Sequence, residues 1–409
     1  MNHTEGVTVK EAKKTLPDGW RWVRIGELCR LVNGDAYRES DWSITGVPII
    51  RIQNLNDGSK PFNYWAGSLQ DRVVVESGNV LLAWSGTPGT SFGVHLWKGT
   101  KGVLNQHIFR VDIESNDVLP DWLVIAVNHQ LDILIGKAHG GVGLRHVTKG
   151  EVESLEIPLP SLSEQKRIAA ILNEQMAAVK RARAVAEAQL EAAKALPAAY
   201  LRAVFNSPEA QRWPRKELGE ACDLLPAKSI ATDGDTEVLA ITTACLTESG
   251  FQPAGVKPAK MWAVNAAECV VSPGEVLIAR SNTPDLVGRV AMFAGNPRNA
   301  VASDLTIRIK PRDGVRAPFL TSYLSFLYLS GYWKNRAGGA SGSMKKITRT
   351  QLLSEQVPVP SLEVQQRIAT MLSEQLAAAE KTRKVLEEQL ATINKLPAAL
   401  LHRAFKGEL

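Results

Sequence analysis

Residues 157–205 read IPLPSLSEQKRIAAILNEQMAAVKRARAVAEAQLEAAKALPAAYLRAVF, and residues 357–405 read VPVPSLEVQQRIATMLSEQLAAAEKTRKVLEEQLATINKLPAALLHRAF. The two stretches align without a gap, and about half of their positions are identical. Each predicts one long helix. Pro160 and Pro360 block helix upstream. Ser161 and Ser361 suit the N-cap, and Glu164 completes a capping box with Ser161. Ala, Glu, Gln, Lys, Arg and Leu fill the segment beyond the cap, with no Gly or Pro from Ser161 to Leu196.

Apolar and small residues recur at alternating steps of four and three, the stripe a partner helix needs. In the first copy the seam reads Ile168, Leu172, Gln175, Val179, Ala182, Ala186, Gln189, Ala193 and Leu196. In the second it reads Ile368, Leu372, Gln375, Ala379, Thr382, Leu386, Gln389, Ile393 and Leu396. Helices this long and one-sided need a partner in water, and the simplest partner is the other copy. Glutamines at matching seam positions would set register at some cost in stability.

The repeat extends beyond the rods. GWRWVRIGELC near residue 20 returns as RWPRKELGEAC at 212–222. VPIIRIQNLNDG at 47–58 matches EVLAITTACL at 237–246, each a buried strand running into a polar turn. SGNVLLAWSGTPGTSFGV at 77–94 matches PGEVLIARSNTPDLVGRV at 273–290, strand, turn and strand. Helical stretches come next, then glycine-rich basic loops, HGGVGLRHVT at 139–148 and GGASGSMKKIT at 338–348. Turn chemistry is kept between the halves while loop residues differ, as expected of two related scaffolds that read different ligands.

Composition sets outer bounds. A chain of 409 residues with 44% hydrophobic content holds two or more cored domains. A net charge of +6 permits a nucleic-acid partner without requiring one. Cys29, Cys222, Cys245 and Cys269 are scattered without CxxC pairs, which points to a reducing compartment and no structural zinc. The N-terminus lacks a signal core and no run matches a membrane span, so a cytoplasmic location is expected.

Contact candidates sit in the loops. Gly141, Gly143, Arg145, His146 and Lys149, and Ser343, Lys345, Lys346 and Arg349, combine close backbone approach with positive charge, the chemistry of phosphate binding. Arg51, Gln53 and Asn54 have base-reading side chains, and Thr242 and Thr243 stand at the matching place. The alternative is that Asn54 and its neighbours only stabilise a turn. In the Ser-x-Thr-Pro turns the variable positions are Trp84 and Gly86 in one half, Arg280 and Asn282 in the other. Arg110 and Arg308 lean toward the fold, and the aromatic stripe from Tyr323 to Trp333 toward the core. No adenine-methyltransferase signature, phosphate loop, nuclease core or metal-ligand spacing is present, which argues against an enzyme.

The phrase (I/V)P(L/V)PSLxxQ(K/Q)RIA, the basic loop before it and the closing LPAALLHRAFKGEL resemble the specificity subunit of type I restriction-modification systems. The resemblance spans essentially the whole chain. It implies two target recognition domains, at 17–157 and 206–357, each followed by a helical region, at 158–205 and 358–409, after a loose tail at 1–16. The expected fold is α+β: two mixed α/β recognition domains separated by two long helices that form an antiparallel coiled coil with a pseudo-twofold repeat. The implied function is bipartite reading of double-stranded DNA without catalysis, the coil setting the spacing. Implied partners are two methyltransferase subunits and, for restriction, two motor-nuclease subunits. S-adenosylmethionine, ATP and magnesium would belong to those partners, with no cofactor in this chain. A two-part type II system, or an adaptor that binds no DNA, would also fit parts of the pattern.

Overall fold

The computed structural model describes residues 15–86, 92–137, 145–230, 233–339 and 343–409. Most of the expected tail lies outside these residues, as do Gly141 and Gly143. Two compact units form, Met1–Arg183 with Thr392–Leu409, and Ala184–Ala391. The division falls inside the two rods.

In the first unit the chain enters on Arg21–Arg24 and leaves on Glu156–Leu159, and these strands pair antiparallel. Between them lies a four-stranded antiparallel sheet in the order Cys29–Asn33, Ile108–Ile113, Val80–Ala83, Gly93–Leu96. A second sheet has the order Asn63–Trp65, Val47–Ile50, Gly102–Leu104, Val74–Val75, and is mixed because Val47–Ile50 runs parallel to Gly102–Leu104. The VLLA run of Val80–Ala83 is buried at every residue, consistent with a strand covered on both faces. The helix Pro120–His129 packs on this core through Trp122, whose indole N–H donates to the Pro158 carbonyl at 3.0 Å.

The second unit repeats the plan. Arg215–Glu217 pairs with Gln356–Pro358. A four-stranded sheet follows the order Cys222–Leu225, Thr306–Pro311, Val276–Ala279, Val290–Met292. A mixed three-stranded sheet has Thr236–Ile241 between Val256–Met261 and Ala300–Ala302. The helix Ala317–Leu329 takes the place of Pro120–His129, and Gly331, at φ +74°, separates it from Tyr332–Arg336. Tyr323 and Trp333 are core residues, as the stripe suggested. Arg308 is buried, binds Glu275 through two bonds of 2.8 and 2.9 Å, and donates to the carbonyls of Pro226, Glu268 and Val270, so it serves the fold.

The rods are single helices of 44 residues, Leu162–Phe205 and Leu362–Phe405. Ser161 Oγ accepts from the Glu164 N–H, but the Glu164 carboxylate pairs with Arg167, so only half of the expected capping box forms. Both rods run on through Pro197 and Pro397. An interior proline costs about 3 kcal/mol. Burial of Leu201 and Phe205 beyond Pro197, and of Ala404 and Phe405 beyond Pro397, offsets that cost, since each large side chain contributes roughly 1.5–3 kcal/mol.

Within the first unit, Ile168 and Leu172 from the start of one rod share a core with Ala404 and Phe405 from the end of the other. Within the second, Ile368 and Leu372 share a core with Leu201 and Phe205. Each unit thus contains the beginning of one rod and the close of the other, running antiparallel.

The seam departs from the strict heptad reading. Gln189 and Gln389 are exposed, as are Ala182 and Thr382, while Leu190 is buried. The buried stripe runs Ile168, Leu172, Ala186, Leu190, Ala193 in the first rod. Gln175, Gln375, Val179, Leu196 and Leu386 are half-buried, Ile393 is buried, and Leu396 is 39% exposed. Ala186 and Ala193 keep the expected seam, and between them the covered residue is Leu190, one position on from Gln189, a shift within the tolerance of a helix with 3.6 residues per turn set against a 3.5 repeat.

Candidate nucleic-acid interface

In each unit two loops that are far apart in sequence become neighbouring strands. In the first, Ser85–Gly86 pairs antiparallel with Arg145–His146, and the Val147 N–H donates to the Trp84 carbonyl at 3.0 Å. In the second, Ser281–Asn282 pairs with Lys345–Lys346, and the Ile347 N–H donates to the Arg280 carbonyl at 2.8 Å. The local cause is the same in both. Val147 and Ile347 are buried, and the next residue, Thr148 or Thr348, caps a short helix through a capping box with Glu151 or Gln351. Hydrophobic anchor and cap together fix where the basic strand must lie. The turn and the basic loop, identified separately in sequence, therefore form one surface. No sequence signal announced that pairing.

A third segment joins them in the second unit. Thr242 and Thr243 follow Thr236–Ile241, and Asn282 Nδ2 donates to Thr243 Oγ1 at 3.1 Å. Asn282 Oδ1 accepts from the Thr283 N–H at 2.9 Å. Asn282, Thr243 and Lys345 are half-exposed, and Lys346 and Ser343 are exposed.

Several candidates are held by the fold instead. Asn54 is 3% exposed; it accepts from the Arg51 N–H and donates toward the Lys60 and Pro61 carbonyls, so the turn-stabilising alternative describes it. Thr242 donates to the Gly255 carbonyl and accepts from the Ala244 N–H, a cap. Arg349 donates from both Nη atoms to the Leu224 and Leu225 carbonyls, and burial with the nearby Arg280 charge holds it below the ordinary arginine range. Arg280 is half-buried and donates to the Asp304 carbonyl at 3.2 Å. Trp84 stacks on Phe109 and meets His107 edge-on, against the core.

Gln53, His146 and Lys149 are exposed, Lys149 lying 3.6 Å from Glu153. The Arg51 guanidinium lies 5.1 Å from the centre of the Trp42 ring. Gly86 and Arg145 contribute backbone to the strand pair.

Sequence reasoning missed the buried glutamines of the PSLxxQ phrase. Gln165 and Gln365 fasten each rod to its domain. Their signal was present, a polar residue at the same place in both copies, three positions before the first seam isoleucine.

Among the described residues no group of His, Cys, Asp and Glu could hold a metal ion, and no helix is long and apolar enough to cross a membrane. All four cysteines are buried and unbridged, and burial pushes Cys29 and Cys222 up to about 12.

The geometry defines a class: a tandem binding protein, two copies of one mixed α/β domain, each with a polar strand pair built from its own residues. The chain belongs to the family described as type I restriction modification DNA specificity domain, which matches residues 17–183 and 212–388. It is 22% identical to the type I restriction enzyme EcoBI specificity subunit of Escherichia coli, over 97% of this chain and 87% of that protein. It is equally 22% identical to the StySPI specificity subunit of Salmonella potsdam, over 96% and 90%. Among solved structures, a chain from a study of complex assembly and conformational transition of the type I R-M system matches with TM-score 0.71 and 23% identity, covering 97% of this chain and all of that one. The HsdS subunit of Thermoanaerobacter tengcongensis matches with TM-score 0.60 and 22% identity, over 97% and 99%. At these identities the solved structures support the fold.

Proposed function

We propose that this chain is the DNA sequence-recognition subunit of a type I restriction-modification complex. Each domain reads one block of a bipartite target, and the paired rods hold the blocks at a set distance and dock methyltransferase subunits. The observation that carries the reading is a repeated scaffold with changed contact residues: Gly86 faces the basic strand in one unit and Asn282 in the other, with Gln53 standing where Thr243 stands. Two identical readers would need no such difference. The chain itself does no chemistry in this reading. S-adenosylmethionine, ATP and magnesium belong to two methyltransferase and two motor-nuclease subunits, and the complex works in the cytoplasm.

The test is a domain exchange. Residues 1–160 are replaced by the equivalent part of a relative, and methylated sites are mapped in a host carrying the hybrid. One old block and one new block are expected. A folded hybrid that methylates both parental blocks overturns the division of labour.

A further inference from the structure

The second unit carries at its strand pair an oriented amide that the first unit lacks. Asn282 Nδ2 donates to Thr243 Oγ1 at 3.1 Å, and Asn282 Oδ1 accepts from the Thr283 N–H at 2.9 Å. These two bonds fix which end of the amide is oxygen and which nitrogen. One N–H and one carbonyl lone pair remain, on a side chain that is half-exposed. Lys345, its partner across the strand pair, and the exposed Lys346 supply positive charge on the same surface.

A donor and an acceptor side by side match adenine, which presents N6–H and N7 in the major groove. Guanine presents two acceptors there, so one of them would face the asparagine oxygen. Exposed apolar side chains stand at the same edge. Leu305, whose carbonyl accepts from the Arg280 N–H, is 45% exposed, and Met344, next to Lys345, is 46% exposed. Apolar contact suits the thymine methyl. Three other candidates of this unit are used elsewhere: Arg349 and Thr242 on backbone carbonyls, Arg280 on Asp304.

We propose that Asn282, oriented by Thr243, sets a requirement for adenine at one position of the block read by the second unit. The proposal rests on the proposed DNA-reading function. Thr243 acts as a positioning residue. In the first unit the strand-pair position is Gly86, so that domain reads its block by other side chains.

The test uses the full chain assembled with its methyltransferase subunits and a library of duplexes randomised one position at a time within the mapped target. Asn282→Ala should relax the preference for adenine at one position by about 5- to 150-fold, the worth of one bidentate contact, leaving the other block unchanged. Thr243→Val should relax the same position less. Asn282→Asp can still accept from Thr243 and Thr283, so it folds where Ala does not, and it should lose the adenine preference for want of the donor. The proposal is overturned if either Asn282 variant, unfolding at the wild-type temperature, keeps every preference. It is also overturned if the lost preference lies at a G·C pair or spreads over both blocks. A wild-type complex with no positional preference would instead sink the DNA-reading function itself.

Discussion

Gln165 and Gln365 stand 200 positions apart and make the same three hydrogen bonds in their own units. Gln165 accepts from the Leu119 N–H at 2.8 Å and donates to the carbonyls of Asp117 and Pro160 at 2.7 and 2.9 Å. Gln365 accepts from the Arg316 N–H at 2.8 Å and donates to the carbonyls of Gly314 and Pro360 at 2.9 and 2.8 Å. Both side chains are fully buried. Each ties the first turn of a rod to the loop that opens the recognition-domain helix, so rod and domain meet at a fixed angle.

That tie predicts the first outcome. Gln165→Leu keeps the volume but leaves a buried N–H and two carbonyls without this partner. An unsatisfied buried group costs about 1–3 kcal/mol, so a loss of roughly 2–4 kcal/mol is expected. Urea unfolding of the variant should show a lowered midpoint with an unchanged slope. A wild-type midpoint would mean that water replaces the glutamine.

The Arg308–Glu275 pair predicts a second. Its side chains are 3% and 5% exposed. Glu275→Ala would leave a buried guanidinium uncompensated, at about 3–5 kcal/mol. The Arg21–Asp117 pair is shorter, at 2.6 Å, yet its side chains are 60% and 61% exposed. Asp117→Ala should cost at most about 1 kcal/mol, because solvent screens the pair. Equal costs for the two variants would show that distance outweighs burial here.

Lys345 and Lys346 predict a third. If they meet phosphates, Lys345→Ala with Lys346→Ala should flatten the plot of log affinity against log salt by about one to two units, roughly 0.9 per phosphate contact. An unchanged slope would return these lysines to the solvated surface.

A fourth concerns the rods as a ruler. Four residues inserted near Ala186 lengthen a helix by about 6 Å and turn its face by about 40°. A turn of that size leaves the apolar stripe near its original face, so a seam can re-form. Methylation mapping should find the same two blocks with the gap wider by one or two pairs, at about 3.4 Å per pair. An unaltered gap at full activity would leave the rods as docking surface only.

His95 predicts a pH effect. Its Nε2 is buried without a hydrogen-bond partner among the described residues, and burial holds its pKa below the ordinary 6.5. The folded chain therefore favours the neutral ring. Below about pH 6.5 the unfolded chain binds a proton that the folded chain refuses. This contribution to stability is present above that pH and is lost as the pH falls toward the lower folded value. Thermal unfolding should show a drop between about pH 7.5 and 5.5 that is smaller in His95→Gln. Equal drops would assign the loss to other groups.

The amino-acid sequence by itself determined what is local. Proline and serine before each rod, a run of helix formers within it, and threonine caps before the short helices act over one or two turns of backbone, so the repeat and its rods were legible from residues alone. Their run past Pro197 and Pro397 was read from the repeat, and the structure adds the reason it is tolerated, the tertiary burial of Phe205 and Phe405 that offsets each proline. The seam was legible in kind but not at every position: Ala186 and Ala193 are buried as read, while between them packing selects Leu190 over Gln189. The candidate contacts divided the same way. Side-chain chemistry and place in the repeat made Asn54, Thr242, Arg349 and Asn282 all contact candidates. Only the fold, by placing carbonyls beside the first three and a hydroxyl beside the fourth, decided which of them keep hydrogen-bonding capacity for a ligand.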